Sequence, residues 1–368
     1  MEKANIYAGQ LFVLMFIFEL GSALLIPLGI EAKQDVWLAI FFGMLGGLLL
    51  FFVHLRLHLY YPDKTPPEFV KELLGKFFGT VVACIYTVYF LYIAARVLRD
   101  FGEMLVTFAY NETPLFIVNA LFLLTVVYGV YKGIEVIART GELLFVILYA
   151  LAIAGFVLVV VSGLIDFSYL QPVLEDGFKP VLQTVFTETW YVPFGEIIVF
   201  TMIYPYVKNK KAMKKAGIIA ILLSGVNLIV TMSINIAVLG VELTARTQFP
   251  LLNTIHSIQI AEFLERLDVF FMIALIIGGF IKISLFFYAG VISVSVICNV
   301  KNKSKLVYPI GIVVLFISLT QASSYAEHMY EGITIVPLYM HLPLQVIVPV
   351  FLLIVAFIKN RHKKEQSL

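Results

Sequence analysis

The sequence predicts an all-α integral membrane protein of ten transmembrane helices, the first and sixth of them discontinuous. Three observations lead there. The first is composition: 61% of the 368 residues are hydrophobic and 14% charged, whereas soluble domains carry about 25% charged residues. The second is a series of apolar runs of the length that crosses a bilayer as a helix, roughly 20 residues. The third is a pair of interruptions by small, helix-breaking residues, each beside a polar one. One reads Phe18-Glu19-Leu20-Gly21-Ser22-Ala23, with Pro27 beyond it; the other reads Trp190-Tyr191-Val192-Pro193-Phe194-Gly195-Glu196. A helix broken inside a bilayer exposes backbone N–H and C=O groups, which is tolerable only where protein, water or a ligand meets them. Paired breaks in matching positions of two halves point to a midplane binding site of the transporter kind.

The first span, near 8–30, carries Glu19 and the first break. Its length, its buried acid and its lack of a small-residue cleavage site distinguish it from a cleavable leader. The second, near 36–58, ends with His54 and His58 at a membrane boundary. Their i,i+4 spacing suits a metal, but no carboxylate or thiol completes a ligand set, and no metal is expected. The third, 78–105, is long enough to tilt and holds Arg96, Arg99, Asp100 and Glu103 towards its outer end. Arg96 can meet Asp100, and Arg99 can meet Glu103, each at i,i+4. These are either self-neutralising structural pairs or an outer gate. Tyr89 and Ile93 lie deeper on the same helix and are candidates to line a midplane site.

The fourth and fifth spans cover 114–131 and 140–163, and the sixth, 184–206, contains the second break. The seventh runs over 213–240. After it, apolar residues recur at Leu251, Leu252, Ile255, Ile258 and Phe263, with Asn253, His256, Gln259 and Glu262 between them, following Phe249-Pro250. Proline in a first turn suits a helix start, so 241–265 is expected to hold a short amphipathic helix on the outer face, packed on the bundle or acting as a lid. The eighth span, 266–298, places Lys282 near its centre, too deep to snorkel. It needs a partner, and Glu19 and Glu196 are the candidates. The pairing of Glu19 with Lys282, or a joint grip on a polar ligand, is the specific expectation. The ninth and tenth spans cover 306–322 and 336–358.

Loop charge sets the orientation. One set of loops holds Lys64, Lys71, Lys76, Lys132, Arg139, Lys208, Lys210, Lys211, Lys214, Lys215, Lys301, Lys303 and Lys305, and the tail adds Lys359, Arg361, Lys363 and Lys364. The alternate set is nearly free of Lys and Arg and holds Glu112, Asp166, Glu175, Asp176, Glu262, Glu327 and Glu331. The positive-inside rule puts the first set and both termini in the cytoplasm. The expected organisation is one transmembrane domain over 1–368, with halves of about 8–163 and 184–358. A net charge of +2 gives no reason to expect nucleic acid. Cys84 and Cys298 make no disulfide or metal-ligand spacing. No P-loop, dinucleotide fingerprint, HExxH or GxSxG appears, so neither an enzyme nor a cofactor is expected.

The order of ten spans with breaks in the first and sixth matches the five-plus-five inverted repeat of the LeuT-type fold. Several passages are more specific: Leu20-Gly21-Ser22-Ala23-Leu24-Leu25-Ile26-Pro27, Phe194-Gly195-Glu196, Leu170-Gln171-Pro172-Val173-Leu174-Glu175-Asp176-Gly177 and Phe263-Leu264-Glu265-Arg266-Leu267-Asp268. Together they resemble the B subunits of endospore nutrient germinant receptors, a branch of the amino acid–polyamine–organocation superfamily, over essentially the whole chain. The resemblance implies a receptor subunit in the inner membrane of a dormant spore. Such a subunit binds a small nutrient, often an amino acid, and acts with an A subunit and a lipoprotein C subunit. It implies a site built from Gly21 and Ser22 at the first break, Pro193, Phe194, Gly195 and Glu196 at the second, Tyr89 and Ile93 on the third span and Lys282 on the eighth. Glu19 and Lys282 depart from the mostly neutral pocket that a simple neutral amino acid implies.

The frame itself suits a zwitterion. Half-helix N-termini carry partial positive charge and free N–H groups for a carboxylate, while exposed carbonyls and Glu196 suit an ammonium. Three readings stay open at the level of sequence: a nutrient-sensing subunit, a proton- or cation-coupled amino-acid permease, and a passive scaffold, the last of which leaves the paired breaks unexplained.

Overall fold

Residues 4–258 and 267–365 are described by the computed structural model. Among them the chain is helical throughout, with no strand and a single isolated bridge between Ile6 and Val207. The order is α1 (Ala8–Leu20), α2 (Val36–Tyr60), α3 (Pro66–Leu74), α4 (Lys76–Phe108), α5 (Leu115–Lys132), α6 (Ile134–Ser162), α7 (Phe178–Thr184), α8 (Lys210–Arg246), α9 (Pro250–His256), α10 (Leu267–Ile297), α11 (Ser304–Thr320), α12 (Tyr325–Tyr330) and α13 (Val348–Glu365).

Seven helices among the described residues are individually long and apolar enough to cross a membrane, or eight if α11 and Tyr325–Ile335, bent by 103°, count as one span. The expected spans outside the seven have physical reasons to fall short. The first and sixth are interrupted, and the ninth, α11, is 17 residues long. Helix α4, at 33 residues, extends about 50 Å at 1.5 Å per residue, well beyond a hydrocarbon core of about 30 Å.

The first interruption follows α1 directly. The helix stops at Gly21, continues as a 3₁₀ turn over Ser22–Leu24, passes Pro27 and Gly29, and resumes as a second 3₁₀ segment over Ile30–Asp35. Gly29 has φ +72°, a conformation that glycine adopts without steric cost. The second interruption is longer. Helix α7 passes into a π-helical turn over Val185–Thr189, the chain turns through Trp190–Gly195, and 3₁₀ segments run over Glu196–Met202 and Tyr204–Tyr206. The Val192–Pro193 peptide bond within it is cis.

Small residues let these irregular segments seat closely. A Cβ on Gly47 of α2 would lie 2.4 Å from Phe194 Cβ, and one on Gly43 2.6 Å from the Thr189 carbonyl oxygen. Gly43 and Gly47 are one helical turn apart, so one face of α2 forms the bed for the second break, as small-residue faces do between membrane helices. Thr189 Oγ1 donates to the Ala39 carbonyl at 2.8 Å and fixes the register. Helix α1 packs on α6, α8 and α10, and α10 runs along α4. The outer surface is apolar, with Leu143, Val146 and Val161 of α6 more than 65% exposed, as a lipid-facing helix requires.

A cleft of about 620 Å³ brings together Thr65, Glu68, Tyr206, Lys301 and Lys303. Helix α3 begins at Thr65, whose N–H donates to Glu68 Oε2 at 2.7 Å, and its Phe69, Val70 and Leu73 pack on Leu57 of α2 and Leu352 of α13. At the opposite end, Asp35 accepts the Leu174 N–H at 3.0 Å, and Lys33 pairs with Asp176 at 2.7 Å.

The expected short helix after Phe249-Pro250 is present as α9, with Leu252 and Ile255 buried. Its continuation, including Gln259, Glu262 and Phe263, lies outside the described residues, as does most of the Phe263–Asp268 motif. The tenth span is found at Pro337–Asn360, close to its expected bounds. The stretch before it, expected as a loop, is helical from Tyr325, where Ser324 Oγ accepts the Glu327 N–H at 3.1 Å. The helix runs on through π-helical stretches over Glu331–Ile335 and Pro337–Ile347 into α13.

Candidate functional site

Both breaks open onto one internal cavity of about 60 Å³. The first contributes Ser22 and Ile26, α4 contributes Ile93, Arg96, Val97 and Asp100, and the sixth segment contributes Glu188, Val192 and Glu196. The tenth segment closes the wall with Met329, Gly332, Ile333, Val336 and His341. Five of the residues singled out from the sequence therefore line it: Ser22, Ile93, Glu196, Arg96 and Asp100.

The others support the wall or lie outside it. Lys282 is fully buried, its Nζ 2.5 Å from Glu196 Oε2 and 5.0 Å from the centre of the Phe18 ring. Of the two candidate partners the structure thus selects Glu196. Glu19 is also fully buried, but among the described residues neither of its oxygens has a hydrogen-bond partner. The expected Glu19–Lys282 pair is replaced because the sixth segment, not α1, presents its carboxylate to the ammonium. Gly21 lies against this pair: a Cβ there would sit 2.9 Å from Lys282 Cδ. Tyr89 holds the tenth segment, its hydroxyl 2.8 Å from His341 Nδ1 and accepting from Gln345 Nε2 at 2.8 Å. Gly195 faces the same glutamine, since a Cβ on it would lie 2.1 Å from Gln345 Oε1. Phe194 is fully buried against Gly47 of α2, and Pro193 follows the cis bond from Val192.

The charged residues at the far end of α4 pair differently from expectation. Arg99 does meet Glu103, at 3.1 Å, and it also donates to the carbonyls of Leu319 and Ala322 at 3.1 Å each. A guanidinium on the last carbonyls of α11 suits the negative end of that helix. The Arg96–Asp100 pair is not among the ion pairs of the described residues. Arg96 instead lies 3.6 Å from Glu331 and donates to the His328 carbonyl at 2.5 Å, while Asp100 meets His328 Nε2 at 2.8 Å. An i,i+4 neighbour has lost to partners on a different helix, because the tenth segment is helical where a loop was expected.

The residues that sequence reasoning missed are Glu188, His328, Glu331, His341 and Gln345. For His341 and Gln345 a signal existed, since two polar residues at i,i+4 inside an apolar run share a helix face. For Glu188 the only signal was an acid at the start of a span. Among the described residues no group of three His, Cys, Asp or Glu side chains is placed to hold a metal ion.

The start of α1 is also held by long-range hydrogen bonds. Asn5 N–H donates to Glu135 at 3.1 Å, Gln10 Nε2 to Glu142 at 3.0 Å, and Ile6 N–H to the Tyr206 carbonyl at 3.0 Å. These bonds tie the start of α1 to α6 and to the end of the sixth segment. At the other end Arg96 and Asp100 bind the tenth segment.

A family model described as "Spore germination protein" matches residues 5–326. Spore germination protein KB of Bacillus subtilis (strain 168) is 51% identical over 367 residues, spanning 100% of this chain and 98% of the relative. Spore germination protein A2 of the same organism is 23% identical over 323 residues, 85% and 86% of the two chains. Among solved structures, the fold is similar to Mhp1, a nucleobase-cation-symport-1 family transporter in a closed conformation with bromovinylhydantoin bound. The TM-score is 0.70 at 11% identity, over 88% of this chain and 73% of that one. It is also similar to MhsT in complex with L-phenylalanine, with TM-score 0.63 at 12% identity over 96% and 99% of the two chains. At such identities the likeness concerns the fold alone, which is of the LeuT type.

Proposed function

The chain belongs to the spore germination protein family, and we propose that it is a nutrient-sensing subunit of a spore germinant receptor. In this reading it binds a small nutrient, an amino acid, in the cavity between the broken first and sixth segments. It then passes the resulting movement to an A subunit and a lipoprotein C subunit in the inner membrane of the spore. The chain spans the membrane ten times, as two repeats of about 8–163 and 184–358, with both termini in the cytoplasm. It carries out no catalysis.

The observation that carries this reading is the cavity itself. It is walled by both breaks and lies where exposed backbone groups can meet a ligand instead of lipid. Polar contacts that join the segments around it support the reading too. A ligand that fits better when one contact opens or closes shifts the balance of states by its differential affinity alone. The gate at the acidic end comprises Arg96 with Glu331 and Asp100 with His328, all contacts between α4 and the tenth segment. Arg99 and Glu103 anchor α4 to α11 beside it.

A second reading, a proton- or cation-coupled amino-acid permease, is favoured by the fully buried Glu19, whose carboxylate no hydrogen bond among the described residues satisfies. One pair of measurements separates the two. Spores carrying the chain with its partner subunits should respond to amino acids, while proteoliposomes holding the chain alone should accumulate none. Uptake into those vesicles driven by a proton or cation gradient establishes the permease and refutes the sensing-only subunit.

A further inference from the structure

Four carboxylates stand in or directly behind the cavity wall, and three of them have a basic side chain as partner within the protein. Glu196 has Lys282 at 2.5 Å, Asp100 has His328 at 2.8 Å, and Glu331 has Arg96 at 3.6 Å. The fourth is Glu188, which lines the cavity at 3% exposure. Its Oε1 accepts the Gly29 N–H at 3.1 Å, and among the described residues it has no ion pair. An unpaired carboxylate in so dry a place is strongly disfavoured. Glu31, within electrostatic reach, adds a like charge.

We propose that Glu188 recognises the nutrient through a cationic group, an ammonium, that completes the missing ion pair. The inference rests on the reading that the cavity holds the nutrient. The cation on the wall does not compete for this role. Arg96 Nη2 is held by the His328 carbonyl, and Nη1 by Tyr92 Oη at 3.3 Å and by Glu331. Glu19 does not share the role either, since it is absent from the cavity wall. The geometry adds a coupling route. The carboxylate that takes the ammonium also holds the backbone of Gly29, beyond the first break, so occupancy ties the sixth segment to the first. The site therefore selects amino acids and other amines over hydroxy acids and uncharged polyols.

The test uses the purified full-length protein and direct binding by calorimetry. The probes are the standard L-amino acids, the 2-hydroxy acid matching each amino acid that binds, and glycerol and D-glucose as uncharged solutes. A charge-assisted hydrogen bond lost to a neutral one corresponds to roughly a 10- to 100-fold loss of affinity. That loss is expected for each hydroxy acid against its amino acid on the unaltered protein, and for the amino acid on Glu188→Gln, with partial retention by Glu188→Asp. The unaltered protein decides the matter alone if the variants do not fold. Equal binding of hydroxy and amino acids, binding of only the uncharged solutes, or unchanged affinity in a folded Glu188→Gln overturns the inference while leaving a nutrient site in place. No binding by any compound refutes both the inference and the nutrient-site reading.

Discussion

The buried pair of Lys282 and Glu196 gives the sharpest energetic test of the site. The two charges lie 2.5 Å apart and are almost wholly buried. At an effective dielectric constant of about 20 their attraction is about 7 kcal/mol. Desolvation costs several kcal/mol for each ion. The intact pair is therefore close to neutral for stability, whereas removing one partner strands the other, at a cost of about 3–5 kcal/mol. Glu196→Gln and Lys282→Met should each destabilise the protein by about that amount. The double variant should lose far less than the sum, so the coupling energy should be about 3 kcal/mol or more. Equilibrium unfolding of the four proteins in detergent measures it, provided unfolding is reversible. A parallel cycle of Glu19→Gln with Lys282→Met should show much weaker coupling, because among the described residues Glu19 makes no ion pair. Additive losses for Glu196 and Lys282, or stronger coupling through Glu19, would refute the pairing on which the account of the second break rests.

Three further outcomes follow from the same geometry. Gly21→Leu puts a side chain where Lys282 Cδ lies 2.9 Å from an ideal Cβ, and should abolish the germination response to amino acids while the protein still accumulates in spore membranes; a normal dose–response curve counts against the first break as part of the site. Glu331→Gln weakens the gate by one partly exposed ion pair, worth about 0.5–1 kcal/mol, and should lower the half-maximal nutrient concentration about 2- to 5-fold; a rise or no change removes that contact from the gate. Asn253→Cys, on α9, should react with an impermeant thiol reagent from outside, and Asn209→Cys, in the lysine-rich loop, should not, each read in a background without Cys84 and Cys298; the reverse pattern overturns the ten-span orientation.

What was legible in the sequence and what was not follows from the range of the interactions concerned. The breaks were readable because their cause is local: Pro193 cannot continue a helix, Gly21 weakens one beside a polar residue, and an apolar run makes the interruption visible. The beginning of α9 was readable for the same reason. Lys282 announced that it needed a partner, but only tertiary packing could decide between two acids on different segments. The helical lead-in to the tenth span is not legible because Glu327, His328, Glu331 and Gly332 look like a polar loop. Their polarity is a property of what they face, since His328 and Glu331 meet Asp100 and Arg96 across a helix interface. The error then propagated. With no helix expected there, Arg96 and Asp100 had only each other at i,i+4. Glu188 stayed hidden because a single acid near the end of a span ordinarily faces the headgroups, and its hydrogen bond to Gly29 N–H spans 159 positions of sequence.

These long-range polar contacts share one property: each joins two different segments. Glu196 and Lys282 join the sixth segment to α10, Arg96 and Asp100 join α4 to the tenth, and Glu188 joins the sixth to the first. None is a local pair that merely neutralises its own helix. A relative movement of any two of these segments must therefore break, or keep and carry along, a buried polar contact. Breaking one leaves a charge stranded at a cost of several kcal/mol unless a new partner arrives. A ligand that supplies the partner removes that cost only when it is present and of the right charge. The charges thus act less as a source of stability than as a condition on movement, which is the property a sensor needs if it is to stay quiet without its nutrient and to switch once it binds.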